Sequence, residues 1–63
     1  MTELKWCQLL DNVFTARGLD VNKDILAKIV QTSPYATARE QFLSGASDRV
    51  IEMQIEMAVS EII

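Results

Sequence analysis

The sequence contains no histidine and only one cysteine, Cys7, among its 63 residues. One thiol can form no disulfide within the chain, and it cannot supply a zinc site by itself. Without histidine, the chain also lacks the base that usually activates a catalytic nucleophile. We therefore interpret Cys7 as a buried or half-buried apolar contact, and we predict no metal, no cofactor, no small-molecule substrate and no enzyme activity.

Long apolar runs are absent as well. No stretch of about 18 apolar residues is free of charge, and no basic segment precedes an apolar run of the kind that directs secretion. We therefore predict neither a transmembrane helix nor a signal peptide, and we expect a cytoplasmic protein without a membrane partner.

Proline and glycine are scarce, with one copy and two copies respectively. This composition argues against disorder, and the length limits the chain to a single domain, residues 1–63. A chain of this size buries only about 60% of the surface that its unfolded form exposes. Since disulfides and metals are excluded, close helix packing or self-association has to stabilise it.

Positive charge is in short supply, because six basic residues face nine acidic ones and the net charge is −3. This balance disfavours nonspecific binding to nucleic acid, which needs cations at the phosphates. The carboxylates include Glu52 and Glu56 on one helical face, but a catalytic pair needs a cleft that moves their pKa values apart. We interpret the two as part of a solvated surface.

What the sequence does contain is a set of helix boundaries. Thr2 can cap a first helix, and Gly18 can end it by adopting the left-handed conformation. Asn22 can cap a second helix, which we expect to end near Thr32 because the residue before a proline resists helical geometry. Ser33 would then cap a third helix.

Pro34 suits the first position of the third helix, which runs to about Leu43 and stops at Gly45. Ser47 can cap a fourth helix that reaches the end of the sequence. The apolar residues expected to face inward are Trp6, Leu9, Leu10, Val13 and Phe14 in the first helix, Ile25, Leu26, Ile29 and Val30 in the second, and Tyr35, Ala38, Phe42 and Leu43 in the third.

The segment from Ile51 to Met57 alternates between apolar and polar residues, which is also a strand pattern. We favour a helix because Met, Glu, Gln and Ala are helix formers and a single strand would have no partner. The sequence therefore predicts an all-α fold, a compact bundle of three to four short helices in which the fourth packs on the first and second.

The fourth helix carries a broad apolar face that could either cover the chain's own core or bind a partner. Four of its residues follow each other at intervals of 4, 3 and 4, like a coiled-coil seam. We predict a protein interface, with dimerisation through this helix, at Val50, Ile51, Ile55, Ala58, Val59 and Ile62. Met53, Met57 and Trp6 are either core residues or an adaptable binding surface.

The segment from Leu26 to Arg39 resembles the helix-turn-helix motif of bacterial and phage repressors. The matching features are a small residue, Ala27, in the first helix and Ser33-Pro34 at the start of a second one. Gln31 stands where the motif usually has glycine, and Thr32 where it has an apolar residue. The resemblance implies DNA contacts from Lys28, Tyr35, Thr37, Arg39 and Gln41.

These observations predict a small regulatory or adaptor protein that acts by binding another protein or a second copy of itself. The alternative is a dimeric helix-turn-helix DNA-binding regulator. A third class is a structural subunit of a larger assembly.

Overall fold

The computed structural model describes residues 2–63, so that Met1 of the predicted domain lies outside the described residues. Four helices follow one another: α1 (Glu3–Ala16), α2 (Lys23–Ile29), α3 (Ser33–Ser44) and α4 (Asp48–Ile62). The described residues contain no strand, and the alternating segment at residues 51–57 is part of α4. The predicted all-α bundle is confirmed.

Side-chain caps begin the helices where the sequence predicted for α1, α2 and α4. Thr2 accepts a hydrogen bond from the Lys5 amide at 3.2 Å, and Asn22 accepts one from the Ile25 amide at 3.0 Å. Ser47 caps α4 in the same way through a hydrogen bond from the Val50 amide. Each cap satisfies a backbone donor that the first turn of a helix leaves without a partner.

Glycines in the left-handed region end two helices. Gly18 has a φ of 71° and Gly45 a φ of 88°. After Gly18 the Leu19 amide donates a hydrogen bond to the Phe14 carbonyl at 2.8 Å, and Leu19 folds back against the core. This arrangement is the Schellman motif, which satisfies carbonyls at the helix end and packs an apolar residue behind it.

The junction between α2 and α3 differs from the prediction. The second helix ends at Ile29 instead of near Thr32, and Thr32 instead of Ser33 caps α3. The Thr32 hydroxyl donates to the Ile29 carbonyl at 2.7 Å and accepts from the Tyr35 amide at 3.3 Å. One side chain thus binds the end of one helix and the start of the next, which moves both boundaries toward the N-terminus.

The core surrounds α4, which is the helix against which α1, α2 and α3 each pack most closely. The predicted packing of the fourth helix on the first and second is confirmed, and its contact with α3 is the most extensive of all. The buried residues are Trp6, Leu9, Leu10, Val13, Phe14, Ile29, Ala38, Phe42, Ile51, Ile55, Ala58 and Val59.

Three residues that we expected inside the bundle or half-buried lie on its surface. Leu43 is 66% exposed, Val30 is 50% exposed, and Cys7 is exposed. Leu43 points away because it lies about 100° around the helix from Phe42, whose side α3 turns toward the core. Val30 follows the last residue of the shortened α2, so the helical face to which we assigned it has already ended.

The accessible surface shows that the chain closes a core by itself. The described residues expose 4080 Å², and a compact monomer of 7.1 kDa is expected to expose about 4100 Å². No helix among residues 2–63 is both long enough and apolar enough to cross a membrane.

Candidate protein interface

The buried side of α4 contains most of the residues that we assigned to an interface. Ile51, Ile55, Ala58 and Val59 are at most 1% exposed. Ile62 is partly buried against the same core, and only Val50, at 41%, is exposed. The predicted seam therefore packs inside the chain, because α4 supplies the apolar face that the three other helices cover.

The opposite side of α4 presents a different apolar stripe, formed by Val50, Met53 and Met57. These side chains are 41%, 55% and 52% exposed, and their spacing of three and four residues places them on one helical face. From the sequence, Met53 and Met57 could be either core residues or surface residues, and the structure places both on the surface. We refer to Val50, Met53 and Met57 as the α4 stripe.

A shallow depression of about 500 Å³ lies over the C-terminal half of the α4 stripe. Met53 and Met57 supply its apolar lining, and its polar lining comes from Arg17, Glu56, Ser60 and Glu61. An apolar centre with a charged rim is the arrangement found in many protein interfaces. The sequence did not predict this rim, since Arg17 follows the last residue of α1 and lies far from α4 along the chain.

Three polar contacts join α4 to α1 and to Arg17, the residue that follows α1, and the last of them lies among the residues that line the depression. Their order along both helices shows that α1 and α4 run parallel. The contacts are Lys5 Nζ to Asp48 at 2.7 Å, Asn12 Nδ2 to Glu52 at 3.2 Å, and Arg17 Nη1 to the Ser60 hydroxyl at 3.1 Å. Because all three are exposed, they orient side chains more than they stabilise the fold.

Arg39, the central residue of the DNA-binding alternative, is engaged within the chain. Its guanidinium donates hydrogen bonds to the carboxylate of Glu3 and lies 5.0 Å from the centroid of the Trp6 ring. The hydrogen bond from Arg39 holds the pKa of the Glu3 carboxyl below its ordinary value. The partners are 36 residues apart in the sequence, and no local pattern could have revealed this pair.

The other residues of that alternative do not form one exposed face. Lys28 and Thr37 are exposed, whereas Tyr35 and Gln41 are half-buried. The Tyr35 ring packs edge-on against Trp6, with 5.6 Å between centroids. Ala27, the small residue that the motif uses at a close helix crossing, is exposed. Tyr35 and Arg39 thus meet at the Trp6 ring within the chain itself, and they do not join Lys28 and Thr37 in one fully exposed basic face.

Neither metal ligands nor related proteins indicate a function. Among residues 2–63, no three thiol or carboxylate side chains come together as ligands for a metal ion. The chain matches no protein-family model, no curated protein and no solved structure. The geometry of the surface therefore carries the functional argument.

Proposed function

We propose that this chain is a small non-enzymatic regulatory or adaptor protein that binds a protein partner through the α4 stripe. The observation that carries the proposal is the exposure of Met53 and Met57, together with Val50, on the helix that also forms the centre of the core. The proposal places the protein in the cytoplasm, where a free thiol such as Cys7 persists.

The α4 stripe combines a rigid support with flexible contact groups. The support is rigid because Ile51, Ile55 and Val59, on the reverse side of the same helix, are fully buried. The contact groups are flexible because methionine side chains are unbranched and adapt to a partner's shape. A partner would therefore meet a fixed helix axis with adjustable side chains, which suits a binding surface.

The rim of the depression would orient the partner. Glu56 and Glu61 are exposed carboxylates, and the hydrogen bond from Arg17 to Ser60 holds the Arg17 guanidinium in place. Charged groups around an apolar centre select partners by complementarity and exclude those of like charge. The affinity would come from the apolar centre.

The test is a pair of substitutions that place charge on the apolar centre, Met53→Lys and Met57→Lys together. The matched control is Leu43→Lys, since Leu43 is an exposed apolar residue on α3 and is not among the residues lining the depression. Both variants should keep the helical circular dichroism of the wild type, because all three positions are exposed.

Binding is measured in two ways, as solution mass by light scattering and as proteins retained from an extract of the source cells. We expect the double variant to lose an association that the wild type and the Leu43→Lys control both show. The proposal fails if the wild type shows no self-association and retains no protein. It also fails if the double variant keeps every association that the wild type shows.

DNA binding remains the second proposal, supported by the resemblance over residues 26–39 and by the exposure of Lys28 and Thr37. It has less support, because Glu3 occupies the guanidinium of Arg39. A titration with duplex DNA at rising salt separates the two functions. A DNA complex weakens steeply as salt rises, whereas a complex held by the α4 stripe changes little.

A further inference from the structure

The outward face of α4 carries a row of four residues that is complementary to itself. Arg49, Met53, Met57 and Glu61 follow one another at intervals of four, so they form one ridge along the helix, and all four are exposed. We refer to these residues as the α4 ridge. We propose that a second copy of this chain covers the ridge, with the two α4 helices antiparallel.

This inference rests on the proposed function and names its partner. Consider two copies related by a two-fold axis that passes opposite Ile55, the midpoint of the ridge. Arg49 then lies beside Glu61 of the second copy, and Met53 lies beside Met57 of the second copy. Because a two-fold axis repeats each contact, the pairing produces two ion pairs around a centre of four methionines.

Within the part of the chain that the structure describes, the charges at the ends of the α4 ridge take part in no ion pair. Among residues 2–63 the ion pairs are Lys5 with Asp48 and Arg39 with Glu3, and neither involves Arg49 or Glu61. A parallel pairing of two copies would set Arg49 against Arg49 and Glu61 against Glu61. Charge complementarity therefore selects the antiparallel arrangement.

The helix dipole favours the same arrangement. Arg49 is the second residue of α4, near its positive end, and Glu61 is the last but one, near its negative end. Both charges are thus unfavourably placed within their own helix. In the antiparallel pair each lies beside the opposite end of the neighbouring helix, where its sign is favourable.

The size of the surface indicates a weak dimer. A standard interface buries about 800 Å² on each partner, roughly a fifth of the 4080 Å² that the monomer exposes. One helix face of 15 residues with its flanking side chains lies at or below that area. The dimer should therefore dissociate on dilution, which makes its dissociation constant measurable.

The experiment reverses one charge at a time, with Arg49→Glu and Glu61→Arg as separate variants, and measures mass by sedimentation equilibrium over a dilution series. Each variant alone would set two pairs of like charge against each other. Exposed ion pairs and their reversal change affinity by a few-fold each, so we expect the dissociation constant to rise about tenfold or more for either variant.

The decisive measurement is the dissociation constant of a mixture of the two variants. In a heterodimer of Arg49→Glu with Glu61→Arg both contacts again join opposite charges, so the equimolar mixture should recover the dissociation constant of the wild type. The matched controls are Lys23→Glu and Glu40→Arg, which reverse exposed charges outside α4 and should leave the wild-type value unchanged. Both ridge variants improve the helix dipole, so loss of folding is not expected to confound the result.

Three results would overturn the inference: a wild type that stays monomeric at millimolar concentration, single variants that dimerise as well as the wild type, or a mixture no tighter than its components. These results can be told apart from a failure of the proposed function. A monomeric wild type that still retains a foreign protein, and loses it with Met53→Lys and Met57→Lys, overturns the second-copy inference alone.

Discussion

The division of α4 into a core side and a binding side predicts opposite outcomes for two substitutions that lie two positions apart. Ile55 is fully buried, and Met57 is 52% exposed. Truncating a buried isoleucine to alanine removes transfer free energy and leaves a cavity, which together cost about 2–5 kcal/mol. Truncating an exposed side chain changes the free energy of unfolding by about 0.5 kcal/mol or less.

The effect of Ile55→Ala should be large relative to the total stability. At about 0.05–0.15 kcal/mol per residue, a chain of 63 residues has a free energy of unfolding of about 3–9 kcal/mol. The substitution would remove between a quarter and all of it. Met57→Ala should unfold like the wild type, since alanine is also the better helix former.

Urea titration followed by far-ultraviolet circular dichroism measures both variants, at a protein concentration below the dissociation constant of any dimer. With a slope of about 1 kcal/mol per molar urea for a small domain, Ile55→Ala should lower the midpoint by about 2 M or more. The assignment would be refuted if Ile55→Ala unfolded like the wild type and weakened association, while Met57→Ala lowered the midpoint instead.

Three further predictions concern the other helices. In a carboxyl-carbon NMR titration Glu3 should show a pKa below its ordinary 4.5, and Arg39→Ala should raise this pKa toward the ordinary value. Because the pKa of Glu3 is lower in the folded than in the unfolded chain, the stability that Glu3 contributes is present above pH 4.5 and is lost as pH falls through the folded pKa. Gly18→Ala should lower the free energy of unfolding by about 1 kcal/mol or more in urea titrations, and Gly18→Asn by less, because the φ of 71° disfavours a side chain while nothing within 4 Å would meet the added Cβ. Cys7 should react with a thiol reagent in native buffer about as fast as in denaturant, since it is exposed; protection in native buffer would contradict its placement.

The helices and their ends were predictable from the sequence because they depend on neighbouring residues. Thr2, Asn22 and Ser47 cap helices through hydrogen bonds that span three residues. Gly18 ends α1 through its own backbone conformation. The same locality explains the shifted start of α3, because Thr32 and Ser33 are both good capping residues and only the contact of Thr32 with the Ile29 carbonyl selects one of them.

The choice between core and surface was made by the tertiary structure. Ile55 and Met57 are both apolar residues of one helix, and the sequence does not state which neighbours will cover either of them. Packing decided it: the side of α4 that bears Ile55 is covered by the other helices, and the side that bears Met57 is left exposed. The pairing of Arg39 with Glu3 is likewise a consequence of folding, since it joins residues 36 positions apart. The sequence by itself determined which segments are helical, because helix formation is local, and the tertiary structure decided which face of α4 can bind, because burial depends on residues that are distant along the chain.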